Sequence, residues 1–305
     1  MVMDKNYGWR GKIMDIDLSS GQQVKSQPLE YYDDYIGGRL LASRLYWDNV
    51  PASVGALDPG NVIMIFSGPL GGTQSTACSR WVITAKSPHS YPDQYGFGNG
   101  GGLFGAALKQ VGYDGLIVRG KASGLSYILI EKGRMSICDA AGLKGVETLD
   151  TINRLKKEHG PKAHVVCIGP AGENLVRFAT AQTENGGTLS NGMGAVLGSK
   201  NLKAIVVVGG EKVPVAHPER IKIINKEIRR LTEGQNRVLY MSEPMQPGLK
   251  MFVLRLATAV RLDVCVPSLS TPPAVRRFVR HVLLLMFILT GISCLTANQQ
   301  IFNLQ

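Results

Sequence analysis

The residues of this chain best placed to do chemistry are glycines and one arginine. Gly98-Asn99-Gly100-Gly101-Gly102 precedes Leu103–Val111, a stretch with helical spacing. Glycines at a helix entry leave backbone N–H groups bare, with no Cβ in the way, and such groups suit a phosphate or another anion. A lone run of this kind more often serves as a tight turn with glycine at positive φ. Arg80 opens a strand just after another glycine-rich loop, where its planar guanidinium suits an anionic or heteroaromatic ligand.

Duplication strengthens the ligand reading. The first copy runs Ser67-Gly68-Pro69-Leu70-Gly71, Arg80–Ala85, Asn99–Gly102, Gly105–Lys109 and Gly115–Lys121. The second runs Ile168-Gly169-Pro170-Ala171-Gly172, Arg177–Ala181, Asn191-Gly192, Gly194–Leu197 and Ala204–Gly209. Fifteen positions separate Gly105 from Gly120, and fifteen separate Gly194 from Gly209. Five blocks kept in one order indicate a duplicated half-domain, with a pseudo-two-fold site where glycine backbones meet a bulky ligand.

Other chemistries find little support. Gly100, Gly102 and Gly105 match Gly-x-Gly-x-x-Gly, but no strand is expected before them and no acidic residue is suitably placed downstream, which excludes the dinucleotide fingerprint. Gly198-Ser199-Lys200 lacks the upstream glycine of a P-loop. The five histidines share no metal-ligand spacing, and no serine has a nucleophile-elbow context. Glu173 reads as a helix-capping residue rather than a catalytic one. The five cysteines, Cys78, Cys138, Cys167, Cys265 and Cys294, form no Cys-x-x-Cys pair and fit reduced thiols in a cytoplasmic protein. The polar N-terminus has no signal-peptide core.

The elements that must carry these groups are short. Residues 8–18 alternate as a strand, with 22–26 as a hairpin return. Tyr31–Val50 has helical spacing, broken at Gly37-Gly38 and stopped by Pro51. Strands are expected at 62–66, 80–85, 115–119, 126–131, 134–139 and from 165, and further helices at 149–159 and 220–233. The alternation is too irregular for a doubly wound sheet. The expected class is α+β, two related β-sheets about a pseudo-two-fold axis with short helices.

Charge divides the 305-residue chain. Residues 1–235 carry 27 Lys+Arg and 21 Asp+Glu, while the remaining 70 carry 7 and 2, so the tail supplies +5 of the net +11. The body is a mixed, mildly basic surface, and no nucleic-acid-binding motif is present. After about Arg237 acidic residues nearly vanish and no period is visible. Residues 238–305 therefore read as an aberrant, frameshift-like or disordered tail. Val282–Ala297 is apolar behind Arg276, Arg277 and Arg280, a candidate anchor, but its sixteen residues fall short of the usual ~20.

Several blocks closely resemble the N-terminal domain of the aldehyde:ferredoxin oxidoreductase family. They are Tyr7–Ile13, Ile36–Arg39, Gly68–Thr73, Arg80 with Thr84–Pro88, Asn99–Gly105, Gly112–Asp114, Gly169–Asn174 and Gly198–Ile205. The resemblance spans about residues 6–235. It implies a bis-pterin domain over 1–210, the start of a truncated helical domain over 211–237, and a tungsten or molybdenum cofactor with one pterin per half. It places Arg80 between a pterin and a [4Fe–4S] cluster. It implies that Asn99 and Gly187 bind, through main-chain oxygen, a magnesium bridging the pterin phosphates. Gly101, Gly102, Gly186 and Ser190 are implied as further cofactor contacts.

The chain departs from that family in two ways. Where the family usually has Arg-Ala-Ala-Gly-Arg-Gly-Gly, this chain has Gly186-Gly187-Thr188-Leu189-Ser190-Asn191-Gly192. Two phosphate-facing arginines are gone, each charge-assisted contact being worth ~1.5–3 kcal/mol. The family's Cys-x-x-Cys-x-x-x-Cys cluster motif and its acid/base residues are also missing, so no catalytic residue is assigned. The intact relative would oxidise an aldehyde, or reduce a carboxylic acid, and exchange electrons with ferredoxin or another low-potential carrier. The alternatives are a non-catalytic pterin-binding module, a subunit joining a separate cluster-bearing chain, or an inactive truncation. A homo-oligomer is compatible with each.

Overall fold

The computed structural model describes residues 7–26, 29–184 and 186–232. The expected tail, with Cys265, Cys294 and the apolar stretch 282–297, lies outside the described residues. The described residues from 7 to 229 fall within one compact unit.

Two six-stranded sheets form it. The first contains β1 (Ile13–Asp17), β2 (Gln23–Ser26), β3 (Ile63–Ser67), β4 (Trp81–Ser87), β5 (Gln94–Gly100) and β6 (Gly115–Arg119). The second contains β7 (Ser126–Glu131), β8 (Arg134–Asp139), β9 (Ala163–Ile168), β10 (Ala181–Thr183), β11 (Thr188–Leu189) and β12 (Leu202–Val208). The spatial orders are β2-β1-β6-β3-β4-β5 and β8-β7-β12-β9-β10-β11. Strand for strand these are one topology. In each sheet one pair is parallel, β1 with β6 and β7 with β12, and the other pairs are antiparallel.

The fold is therefore α+β and duplicated, as the glycine blocks indicate. The repeat also reaches further back than those blocks. It begins at the hairpins β1–β2 and β7–β8, whose sequences share only an apolar alternation.

Helices fill four positions. α1 (Leu29–Tyr35) and α2 (Gly38–Asn49) precede β3, and α4 (Thr148–His159) precedes β9. α3 (Phe104–Gln110) and α6 (Met193–Ser199) occupy matching places in the two copies, each in contact with both sheets. α5 (Pro170–Glu173) is one turn, and α7 (Pro218–Thr232) follows the second sheet. None of the described helices is long and apolar enough to cross a membrane.

Strand alternation assigns the cores. Ile63 and Ile65 face the central core shared by both sheets, while Met64 and Phe66 face Leu41, Leu45 and Tyr46 of α2. Ile128, Ile130, Val166 and Ile205 enter the same central core, and Tyr127, Val165 and Val206 meet Ile152 and Leu155 of α4. β3 is buried on both faces, which is why it reads as a continuous apolar run.

Buried ion pairs fix each copy. Asp114 accepts hydrogen bonds from the N–H groups of Arg10 (2.8 Å) and Gly11 (2.7 Å) and from the Tyr32 hydroxyl (2.8 Å). Lys109 lies 3.3 Å from it and donates to the carbonyls of Gly8, Gly68 and Pro69. Burial lowers the Lys109 pKa and Asp114 opposes that shift. In the second copy Lys203 pairs with Glu173 and donates to the Val146 carbonyl. Asp114 and Lys203 each lie six residues before the glycine closing their repeat, so an anion in one copy stands where a cation stands in the other, while their partners Lys109 and Glu173 come from different positions of the repeat. Glu173 is thus not a helix cap. It neutralises Lys203 and accepts from the Gly145 N–H at 2.9 Å.

Candidate functional site

The site begins with three glycines of β5. Gly96, Gly98 and Gly100 fall two apart and so share the inner face of the strand. A Cβ on Gly98 would sit 3.1 Å from Leu189 Cα, and one on Gly96 would sit 3.5 Å from the Met193 methyl. A Cβ on Gly100 would overlap the Trp81 indole. The glycines let the edge of the second repeat approach the first, as glycine does where two backbones close together.

Gly98–Gly100 are therefore paired strand residues and not a bare helix entry. Their main chain runs in register with Ile83, Val82 and Trp81. Only Gly101, Gly102 and Leu103 lie between β5 and α3. The Gly-x-Gly-x-x-Gly match does follow a strand, contrary to expectation. It remains unlike a dinucleotide site, because β5 is a sheet edge antiparallel to β4, and β6 lies between β1 and β3.

Trp81 sets the first loop. Its ring packs against Phe104 at 4.8 Å between centroids, and its Nε1 donates to the Gly101 carbonyl at 3.0 Å. A Cβ on Gly105 would stand 2.7 Å from Trp81 Cβ, so glycine there lets α3 close on the indole. Trp81 turns inward and its neighbour Arg80 is exposed. A Cβ on Gly101 would lie 3.7 Å from Arg80 Nη1. Arg80 has no ion pair among the described residues. Gly102 takes φ +75°, which favours glycine.

The second loop meets the first. The Gly186 N–H donates to the Thr183 carbonyl at 3.0 Å, and the Thr183 N–H donates to the Gly187 carbonyl at 2.9 Å. A Cβ on Gly187 would stand 3.9 Å from the Gly101 nitrogen. Arg80, Gly101 and Gly187 are thus brought together from both repeats. Gly186 belongs to the same turn as Gly187, and the half-buried Ser190 follows β11. Asn99, exposed on β5, lies two residues before Gly101. The Gly187 carbonyl accepts from both the N–H (2.9 Å) and the Oγ1 (3.4 Å) of Thr183. Gly186 has φ +71°, so an arginine there would be strained.

Residues that sequence reasoning missed hold the loops in place. Asn191 donates from Nδ2 to the Phe97 carbonyl at 2.6 Å, and its own carbonyl accepts from Ser87 Oγ at 2.7 Å. Asn191 has φ +60°, a conformation that asparagine tolerates better than most residues. Its place beside Gly192 in a turn was the available signal. Glu184 faces away from the loop. Its Oε1 lies 2.6 Å from His164 Nδ1 and its Oε2 accepts from the Val165 N–H at 3.0 Å. Burial pushes the Glu184 pKa up, but these hydrogen bonds outweigh it and the net shift is downward. Arg39 stacks 4.5 Å over the Phe97 ring.

Among the described residues no group of three or more His, Cys, Asp or Glu side chains is arranged to hold a metal. Burial raises the Cys167 thiol to about 12, which keeps it protonated and inert. Cys78, half-buried, donates to the Thr76 carbonyl at 3.3 Å.

Comparison with known proteins gives this arrangement a context. Residues 13–209 match the family described as aldehyde ferredoxin oxidoreductase, N-terminal domain. The tungsten-containing aldehyde ferredoxin oxidoreductases of Pyrococcus furiosus and Thermococcus kodakarensis are each 37% identical over 227 residues, covering 72% of this chain and 37% of theirs. The aliphatic sulfonate oxidoreductase, WOR-like subunit, of Pyrococcus furiosus is 34% identical, covering 72% of this chain and 38% of its own. The active-site complex BamBC of benzoyl coenzyme A reductase, solved with 1,5-dienoyl-CoA, superposes with TM-score 0.71 at 32% identity, covering 79% of this chain and 36% of that one. The chain spans a little over a third of the length of each of these relatives.

Proposed function

The chain belongs to the aldehyde ferredoxin oxidoreductase family, and from that premise we propose that it is the cofactor-binding portion of a tungsten-dependent oxidoreductase. The observation that carries the proposal is the meeting of Gly101 and Gly187, one from each repeat, beside the exposed Arg80, which has no ion pair among the described residues.

The residues fit a bis-pterin group unequally. In the first half, Gly101 and Gly102 leave bare backbone beside a guanidinium, a cradle that suits an anionic heteroaromatic group. The second half offers bare backbone at Gly186 and Gly187 and the Ser190 hydroxyl, but no charged side chain from 186 to 192. The pterin of the first half is therefore the more tightly held. When bound, the metal centre supplies the electron exchange with substrate. This chain's own residues bind and orient. Arg80 supplies positive charge, Trp81 fixes the Gly101 loop, and the Asn99 and Gly187 carbonyls are the proposed magnesium ligands.

For the whole protein we propose oxidation of an aldehyde to a carboxylic acid, with electrons leaving through a [4Fe–4S] cluster to ferredoxin, in the cytoplasm. Molybdenum is the alternative metal. The cluster ligands and the acid/base groups are to come from a polypeptide other than residues 1–232. A second reading, a cofactor-binding subunit of a larger assembly, is supported by the likeness to a relative described as a WOR-like subunit and to the BamBC complex.

The test is the purified 305-residue protein from a host supplied with tungstate. Tungsten and pterin without aldehyde-dependent dye reduction is the expected result. Aldehyde oxidation by this chain alone would overturn the division of labour, and absence of pterin would overturn the cofactor role.

A further inference from the structure

Helix α7 reaches the candidate site through one side chain. Asn225 Oδ1 accepts from the Thr76 N–H at 2.8 Å, and Asn225 Nδ2 donates to the Gln74 carbonyl at 2.9 Å. One side-chain amide thereby pairs with the main chain on both sides of Ser75, as a neighbouring strand would. The donor and acceptor requirements of the two main-chain groups fix which way the amide points.

The clamped segment is irregular and strained. From Gln74 to Arg80 it contains no helix or strand. Gln74 at φ +68° and Ala77 at φ +62° are non-glycine residues in the left-handed region. Such conformations persist only where the surroundings impose them. Among the described residues, the bonds to Asn225 are the hydrogen bonds that tie the main chain of 74–80 to another element. At the far end Trp81 enters β4 and anchors on Gly101. Arg80 therefore hangs between two fixed points, Asn225 before it and Trp81 after it.

We propose that Asn225 is a positioning residue that holds the Arg80 segment in the conformation from which Arg80 faces Gly101. The proposal rests on the cofactor role given to Arg80 above. It also makes α7, the last helix described, part of the cradle rather than a linker beyond it.

The test uses the full 305-residue chain with Asn225→Leu, Asn225→Asp, Arg80→Ala and the Asn225→Leu/Arg80→Ala double variant. Leucine is near in size and a better helix former than asparagine, so α7 itself is not weakened. Three quantities are measured: hydrogen exchange over peptides spanning 74–80, the melting temperature, and the pterin released from the purified protein. Asn225→Leu is expected to speed exchange at Thr76 by about tenfold or more, as expected when local hydrogen bonds are lost, with a near wild-type melting temperature.

Pterin content is expected to fall severalfold in Asn225→Leu, and the double variant is expected to be no worse than Arg80→Ala alone, as for residues acting through one contact. Asn225→Asp keeps the acceptor for Thr76 and is expected to restore part of that protection. Wild-type pterin content despite fast exchange, or losses that add to those of Arg80→Ala, would overturn the proposal. If the wild-type protein carries no pterin, the cofactor role of Arg80 fails. Exchange then decides the clamp alone, and unchanged exchange at Thr76 in Asn225→Leu would refute it.

Discussion

Replacing Asp114 by asparagine keeps the volume and removes the charge. In the native protein this buried carboxylate accepts from two main-chain N–H groups and the Tyr32 hydroxyl, and it is the counter-charge of a fully buried Lys109. All three of those donors meet Oδ2, so an asparagine oxygen placed there leaves its NH2 at the Oδ1 position, facing the Lys109 ammonium 3.3 Å away. Lys109 is then left buried without an anion. Breaking one partner of a buried pair costs about 3–5 kcal/mol. Tyr32→Phe removes one hydrogen bond and leaves the pair intact, which sets a comparison near 1–2 kcal/mol. Equilibrium unfolding in urea measures both. The Lys109→Met/Asp114→Asn double variant should recover part of the loss, because its lysine is no longer stranded. The reasoning fails if Asp114→Asn costs under about 1 kcal/mol, or if the double variant is destabilised by the full sum of the two single ones.

Lys200 offers a pH test. It is buried against the carbonyls of Pro59 (3.1 Å) and Gly120 (2.9 Å), and burial lowers its pKa to about 8. Below that value the folded protein keeps a buried charge. Between there and the unfolded lysine value near ~10.4 the unfolded chain binds more protons, so stability rises with pH. Relative to Lys200→Met, wild type should gain up to about 3 kcal/mol between pH 7 and 10.5, and a flat difference in unfolding free energy would contradict this. Gly98→Val should cost about 1–3 kcal/mol, because even its Cβ would stand 3.1 Å from Leu189 Cα. Gly124→Ala, with nothing within 4 Å, should be close to neutral, and thermal melts measure both.

Much of this architecture was legible in local pattern. The blocks around Gly68 and Gly169 and around Gly105 and Gly194 marked the duplication, and Gly37-Gly38 and Pro51 bounded the second helix. The hairpins that open each repeat were not recognised as copies, because apolar alternation holds a hairpin without fixing its residues. β5 was misread for a physical reason. Glycine at 96, 98 and 100 has the spacing of one strand face, but glycine carries no apolar side chain to display that period. The buried pairs were also invisible. Asp114 meets Lys109 and Lys203 meets Glu173 through tertiary packing, and the two partners come from different positions of the repeat. Asn225 and Thr76, 149 residues apart, gave no local signal at all.

The central claim is that two glycine loops from two repeats form one cradle. The ratio of pterin to tungsten in the purified 305-residue protein tests it most directly. A cradle built from both halves predicts two pterins per tungsten, with the total falling sharply in Arg80→Ala. Tungsten without pterin, or a pterin content indifferent to Arg80, would contradict it.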